Sequence, residues 1–327
     1  MTFYKYHGAG NDFLIADGRD IRIDLTPEWI SAICDRHTGV GADGVMILER
    51  DPAADFRMRY YNSDGSGGMM CGNGGRCIVA FAADLGYTHF LFNAPDGQHV
   101  AEIVTAKEAE AVSDLGCHPR LSVGTAACGG FTTESRIVRL KMRDVENAVP
   151  YPRDGSQALG AELDTPGMLG GCDWFLDTGT RHLVRFVNDV ADYDVTGEGR
   201  ILRHDRRFAP AGVNVNFVQV NVPISCHDGS SAVHGAITVR TFEKGVEDET
   251  LACGTGIVAS ALATWLSTPR HSSGAHGTPV RIDVRARISD LSVTFTPELR
   301  HADGTSGFRA ENIWLEGPAA YVCRIEI

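Results

Sequence analysis

Two short stretches, separated by about half the chain, carry the same pattern. Met70-Cys71-Gly72-Asn73-Gly74-Gly75 opens onto the apolar, Ala-rich residues 77–85, and Ala252-Cys253-Gly254-Thr255-Gly256 opens onto 257–266. In each, a cysteine and a Gly-x-Gly turn stand where a helix should begin. Gly86 supplies a stop for the first helix and Pro269 for the second. A repeat this long is not a solenoid, whose units are shorter; it implies two duplicated domains facing each other.

The surrounding segments repeat in the same order. Residues 3–15 read as strand, polar turn, strand, and so do 174–184. Thr26-Pro27 starts a helix that runs to about residue 35, with Thr26 as N-cap and Pro27 at the first helical position. A second helical segment is expected near 198–204. The Gly-Val loops 37–44 and 212–216 feed strands at 45–48 and 217–220, and alternating strands at 56–61 and 237–242 end in polar residues just before each cysteine helix. Further strands are expected at 90–92, 100–104, 137–142, 280–284, 291–295, 312–315 and 321–327. Between 105 and 134 the periodicity fails, which reads as an insertion or surface excursion.

Composition narrows the function. A formal net charge of −12 argues against nucleic acid and anionic membranes as partners, because phosphate binding needs clustered Lys and Arg. The longest apolar-rich run, 257–266, is too short to span a bilayer. Lys5, His7, Asn11 and Asp12 exclude an export signal at the N-terminus, so a cytoplasmic protein acting on a small molecule is expected. The 9 cysteines are odd in number and contain no C-x-x-C pair. That disfavours a disulfide framework and a zinc ribbon, and no metal site is expected.

A cysteine acts as a base only as thiolate, and its reference pKa near 8.5 leaves it protonated at neutral pH. A helix N-terminus offers unpaired N–H groups and about half a positive charge. Lowering the thiol pKa by about 1.5 units needs about 2 kcal/mol, within reach of a partly buried helix end. The same N–H groups can hold a carboxylate. Two such helix starts aimed at one carboxylate would leave its α-carbon between two sulfurs. One thiolate removes the α-proton, the opposite thiol returns one to the other face, and neither metal nor pyridoxal cofactor is required.

Together with these cysteine motifs, His7-Gly8-Ala9-Gly10-Asn11-Asp12-Phe13, Asn62-Ser63-Asp64-Gly65-Ser66, Arg76-Cys77, Val213-Asn214 and Glu243-Lys244-Gly245 resemble the diaminopimelate epimerase family. The resemblance spans nearly the whole chain. It implies an α/β (α+β) fold of two pseudo-symmetric domains, each a curved, mostly antiparallel sheet wrapped around a central helix. The domains would be 1–144 plus 316–327, carrying Cys71, and 145–315, carrying Cys253, with the site in the cleft between. It also implies conversion of LL-diaminopimelate to the meso form, in lysine and peptidoglycan biosynthesis, with a homodimer as the assembly. Cys253 would be proton acceptor and Cys71 donor in that direction. Gly72, Asn73, Gly254 and Thr255 would cradle the reacting carboxylate, and Asn11, Asn62 and Asn214 would bind other polar groups. Glu243 and His182 would sit near the thiols, orienting the amine and tuning charge.

The chain departs from the family pattern at Thr180-Arg181, where Asn-Pro is usual; at Lys244, where Arg is usual; and at Gly44, where Gln is usual. Lys244 lacks the rigid fork with which Arg clamps a carboxylate, and Arg181 is the candidate to replace that charge. These differences leave racemisation untouched and bear on the distal end of the substrate. They favour, as a second reading, a racemase of the same fold acting on histidine or proline. A third reading is a binding module with a redox-sensitive thiol pair.

Overall fold

The first hairpin closes on Ala9-Gly10, whose φ values of 52° and 93° suit the mirror-type turn that matches strand twist. It joins β1 (Thr2–Gly8) to β2 (Asn11–Asp17) with Gly8 opposite Asn11. The computed structural model describes residues 1–68, 70–104, 127–128, 131–132, 135–153, 171–226, 233–268, 277–302 and 305–327. They divide into two compact units, 1–141 with 316–327, and 142–315.

In the first unit, α1 (Pro27–Cys34) crosses from β2 to the parallel strand β3 (Gly44–Glu49). Thr26 caps it, its hydroxyl oxygen accepting the Trp29 N–H at 3.2 Å, with Pro27 in the first turn. β4 (Phe56–Asn62) returns antiparallel to β3. α2 (Gly72–Asp84) then crosses to β5 (Phe90–Ala94), parallel to β4, and β6 (Gly97–Val104) follows antiparallel. The short pair β7 (Ala127–Cys128) and β8 (Phe131–Thr132) precedes β9 (Arg136–Lys141), which lies against β6.

The second unit repeats this plan. β10 (Ala148–Pro152), β11 (Cys172–Asp177) and β12 (Arg181–Phe186) are antiparallel neighbours. α3 (Val195–Arg203) crosses to β13 (Asn214–Cys226), parallel to β12, and β14 (Val233–Glu243) pairs antiparallel with β13. The short β15 (Asp248–Thr250) folds back on β14. α4 (Gly254–Ser267) crosses to β16 (Val280–Arg285), parallel to β14, and β17 (Asp290–Ala302) completes the hairpin. Hairpin, crossover, antiparallel return, cysteine helix and second hairpin thus occur twice, with parallel pairs only where a helix makes the crossover.

α2 and α4 are the centres of their units. Every residue from Gly72 to Ala82 is buried, as is every residue of α4 except Thr255. A helix apolar on all sides is stable only inside a core, and the Ala-rich composition lets surrounding strands approach closely. α1 and α3 bury only one face.

Two expectations change. Residues 312–315 and 321–327 belong to one strand, β18 (Thr305–Glu326), whose final residues pair with β1. Gly317-Pro318, between those two stretches, lies within the strand. The second crossover helix begins at Val195 rather than near 198, because the Asp194 carboxylate caps the Gly197 N–H at 2.9 Å. Pro269 and, apart from β7 and β8, residues 105–134 lie outside the described residues. Among the described residues no helix is long and apolar enough to cross a membrane.

The far end of α4 is tied to β11 by the Trp174 indole N–H, which donates to Ser267 Oγ at 2.8 Å between almost fully buried groups. Ser267→Ala strands that N–H without a partner and should cost about 1–3 kcal/mol. Urea unfolding is expected to show a lower midpoint at unchanged m-value; an unshifted midpoint would show that the bond contributes nothing.

Candidate active site

Cys71 is the N-cap of α2, in extended backbone, and its sulfur accepts the Gly74 N–H at 3.2 Å. Its carbonyl accepts the Gly75 N–H at 2.8 Å, so the helix starts immediately after it. Glycine is needed around this turn. A Cβ at Gly75 would lie 2.9 Å from the Leu140 side chain, and one at Gly8, on β1, would lie 2.9 Å from the Asn73 carbonyl.

Behind this helix start runs a chain of directed hydrogen bonds. The Arg76 guanidinium, wholly buried, donates to the Gly72 carbonyl at 3.2 Å and to Asn73 Oδ1 at 2.7 Å. The Asn73 amide donates to Asn11 Oδ1, and the Asn11 amide donates to Asp43 Oδ2 at 3.0 Å. Asp43 also accepts from Arg36 at 2.7 Å. A cation at one end and a carboxylate at the other fix the orientation of both amides. Asn11 therefore spends its oxygen internally and keeps a second N–H for an outside acceptor. Burial lowers the Arg76 pKa to about 10, so it stays charged at neutral pH. Asp12 would be raised by burial, but hydrogen bonds from Arg36 and Lys5 hold it below the usual carboxylate range. Asn62, at the end of β4, donates to Ser66 Oγ at 3.0 Å within its own turn.

In the second unit Cys253 caps α4 in the same position, and its carbonyl accepts the Ile257 N–H at 2.8 Å. Its sulfur lies 3.5 Å from Thr255 Oγ1. Thr255 Oγ1 is 3.0 Å from His182 Nε2 and 2.9 Å from Thr180 Oγ1, while its carbonyl accepts from Thr178 Oγ1 at 2.9 Å. His182, at 0% exposure on β12, has its Nδ1 3.1 Å from the Asn216 amide nitrogen. Burial alone lowers its pKa to about 3, so the ring is neutral. A Cβ on Gly256 would lie 2.3 Å from Asn216 Oδ1 and 3.2 Å from the His182 ring, so this helix start too requires glycine.

The polar rim is built from strand ends. Asn214 Oδ1 accepts the Lys244 N–H at 2.8 Å, and its amide donates one N–H to the Arg181 carbonyl at 3.4 Å. Glu243 accepts from the Thr250 hydroxyl at 2.9 Å, and burial raises its carboxyl pKa. The Lys244 side chain is exposed. Arg181 lies over the Phe175 ring at 5.3 Å and donates to the Phe208 carbonyl at 3.5 Å, so its guanidinium packs on its own unit's aromatic cluster. At Gly44 a side chain would meet the Tyr61 carbonyl at 2.5 Å, leaving no room for the Gln expected there. Among the described residues no group of three or more His, Cys, Asp or Glu could hold a metal ion.

The first unit brings together Cys71, Gly72, Asn73 and Asn11; the second brings together Cys253, Gly254, Thr255 and His182, with Asn214 beside Glu243-Lys244. Sequence reasoning missed Arg76, Asp43, Thr178 and Asn216. Asn216 was visible as the second Asn of Asn214-Val215-Asn216, two residues on and therefore on the same face of β13.

The model of the diaminopimelate epimerase family matches residues 3–118 and 174–286. The chain belongs to the diaminopimelate epimerase family. A diaminopimelate epimerase of Chlorobaculum tepidum is 38% identical over 317 residues, covering 97% of each chain. One of Flavobacterium psychrophilum is 34% identical over 328 residues, covering 98% of each. Members of this family are isomerases, and so is this protein. Among solved structures, a PhzF-family phenazine biosynthesis protein of Bacillus anthracis has a TM-score of 0.60 at 14% identity, covering 100% of this chain and 98% of its own. A probable proline racemase of Agrobacterium radiobacter K84 gives 0.54 at 14% identity, covering 100% and 92%. These share the diaminopimelate epimerase fold.

The buried His182 gives stability a defined pH dependence. From the ordinary value of 6.5 down to about 3 the unfolded chain binds a proton that the folded chain refuses. Stability contributed by this site therefore rises with pH across that window. His182→Gln should fall less steeply than wild type in urea midpoint between about pH 7 and pH 4. Equal slopes would mean that the ring titrates normally.

Proposed function

We propose that this isomerase converts LL-diaminopimelate to meso-diaminopimelate by two-base proton transfer, serving lysine and peptidoglycan biosynthesis. The observation that carries the reading is that Cys71 and Cys253 hold the same cap position in two copies of one fold, each before a buried helix. The curated relatives, named diaminopimelate epimerases, supply the substrate.

In the LL-to-meso direction the Cys253 thiolate takes the α-proton and becomes a thiol. The electron pair left on the α-carbon spreads onto the adjoining carboxylate, held by helix N–H groups at 72–73 and 254–255. The Cys71 thiol gives its proton to the opposite face and becomes a thiolate, and the stereocentre is inverted. Solvent exchange resets both sulfurs. Asn11 and Asn214, whose amide oxygens accept internal N–H groups, each keep one N–H beyond their internal bonds and suit carboxylate oxygens rather than ammonium groups. Asn62 is the third asparagine of the rim. Glu243 is the acidic side chain placed to meet the substrate amine, and Lys244 offers a flexible positive charge to the distal carboxylate.

As written, the chemistry calls on no cofactor. The departures at Gly44, Thr180, Arg181 and Lys244 favour testing a racemase of histidine or proline beside it. The deciding experiment measures release of α-tritium to water from LL-diaminopimelate, histidine and proline at equal concentrations. Release from LL-diaminopimelate at least about a hundredfold faster is expected, since a site built for a second charged end rejects substrates lacking it. Faster release from histidine or proline would overturn the substrate assignment.

A further inference from the structure

We infer that Asn216 is a positioning residue, which locks His182 in the neutral tautomer protonated at Nε2 and thereby aims the Thr255 hydroxyl proton at the Cys253 sulfur.

The direction of each bond follows from chemistry. Asn216 is fully buried on β13, with its amide nitrogen 3.2 Å from the Leu183 carbonyl and 3.1 Å from His182 Nδ1. A carbonyl oxygen only accepts, so the group facing it is the NH2, and the amide cannot be reversed. Its oxygen, on the other side, accepts the Thr241 hydroxyl at 3.0 Å. The two N–H bonds then go to Leu183 and to His182 Nδ1, which must be the unprotonated ring nitrogen. The ring proton sits on Nε2, facing Thr180 Oγ1 at 2.8 Å and Thr255 Oγ1 at 3.0 Å.

Thr255 Oγ1 faces the ring N–H and lies 2.9 Å from Thr180 Oγ1, a contact in which either hydroxyl can donate; we assign Thr180 as that donor. With Thr180 as that donor, the Thr255 hydrogen goes to the sulfur 3.5 Å away. A hydroxyl given to a thiolate is a charge-assisted bond, added to the helix-end field. Gly256 makes the arrangement possible, since any side chain there would occupy the Asn216 oxygen's place.

The inference rests on Cys253 being the proton-accepting thiol, but its test needs no turnover. Nitrogen-15 spectra of the full-length protein, with His182 assigned by comparison with His182→Gln, should show Nδ1 unprotonated and Nε2 protonated at pH 7. Iodoacetamide labelling of Cys253, followed peptide by peptide across pH, should be about tenfold slower at pH 7 in Thr255→Val. Thr255→Ser should restore the rate, and Asn216→Leu should slow labelling and admit the Nδ1-protonated tautomer. An Nδ1-protonated ring in the wild type, or an unmoved labelling profile in a folded Thr255→Val, would overturn the inference. If Cys253→Ala still exchanges the substrate α-proton, the functional reading fails while the tautomer and labelling results stand.

Discussion

The interaction on which this protein depends is that between a cysteine sulfur and the N-terminus of a helix buried on every side. Burial has two consequences. It keeps water from screening the N–H groups, so their field acts at close to full strength on the capping residue. It also obliges the first turn to be glycine-rich, because strand ends and neighbouring carbonyls press against it at Gly8, Gly75 and Gly256. The motif Cys-Gly-x-Gly is therefore the packing solution and the chemical one at once: the residues that let the helix start lie close are those that leave its N–H groups open to an anion.

Duplication gives two such caps, but the second layers behind them differ. The Cys71 cap is backed by a cation, Arg76, linked through Asn73 and Asn11 to Asp43, so the polarity of that chain is set by formal charges at its ends. The Cys253 cap is backed by the Thr255 hydroxyl, the neutral His182 ring and Asn216. A fully buried guanidinium with no carboxylate partner among the described residues is expensive to desolvate. Its place five residues beyond Cys71 puts positive charge near a group that must pass between thiol and thiolate in the proposed reaction. Two equivalent caps supported by unlike neighbours suit a reaction in which one sulfur begins charged and the other protonated.

Much of this was legible in the sequence, for a local reason. Thr26-Pro27, Ala9-Gly10 and the two Cys-Gly-x-Gly turns act through their own backbone, so their consequences can be read without knowing what they touch. The duplicated order of hairpin, crossover and cysteine helix followed from spacing alone. β18 was read as two strands, 312–315 and 321–327, and its continuity comes from pairing with β1, β9 and β17, which the sequence does not display. The hydrogen-bond network around His182 was illegible because Asn216, its own partner Thr241, and Thr255 come from three separate elements that meet only on folding. Arg76 was noted only as part of a motif and given no role, because its burial becomes apparent only when strands surround the helix.

The central claim, that one sulfur removes the α-proton and the other supplies its replacement, is tested most directly by following inversion in heavy water. LL-diaminopimelate incubated with the wild type should give meso product carrying one solvent deuterium at the inverted α-carbon. Cys71→Ala and Cys253→Ala should each fail to form that product. Deuterated meso product formed at the wild-type rate by either variant would contradict it.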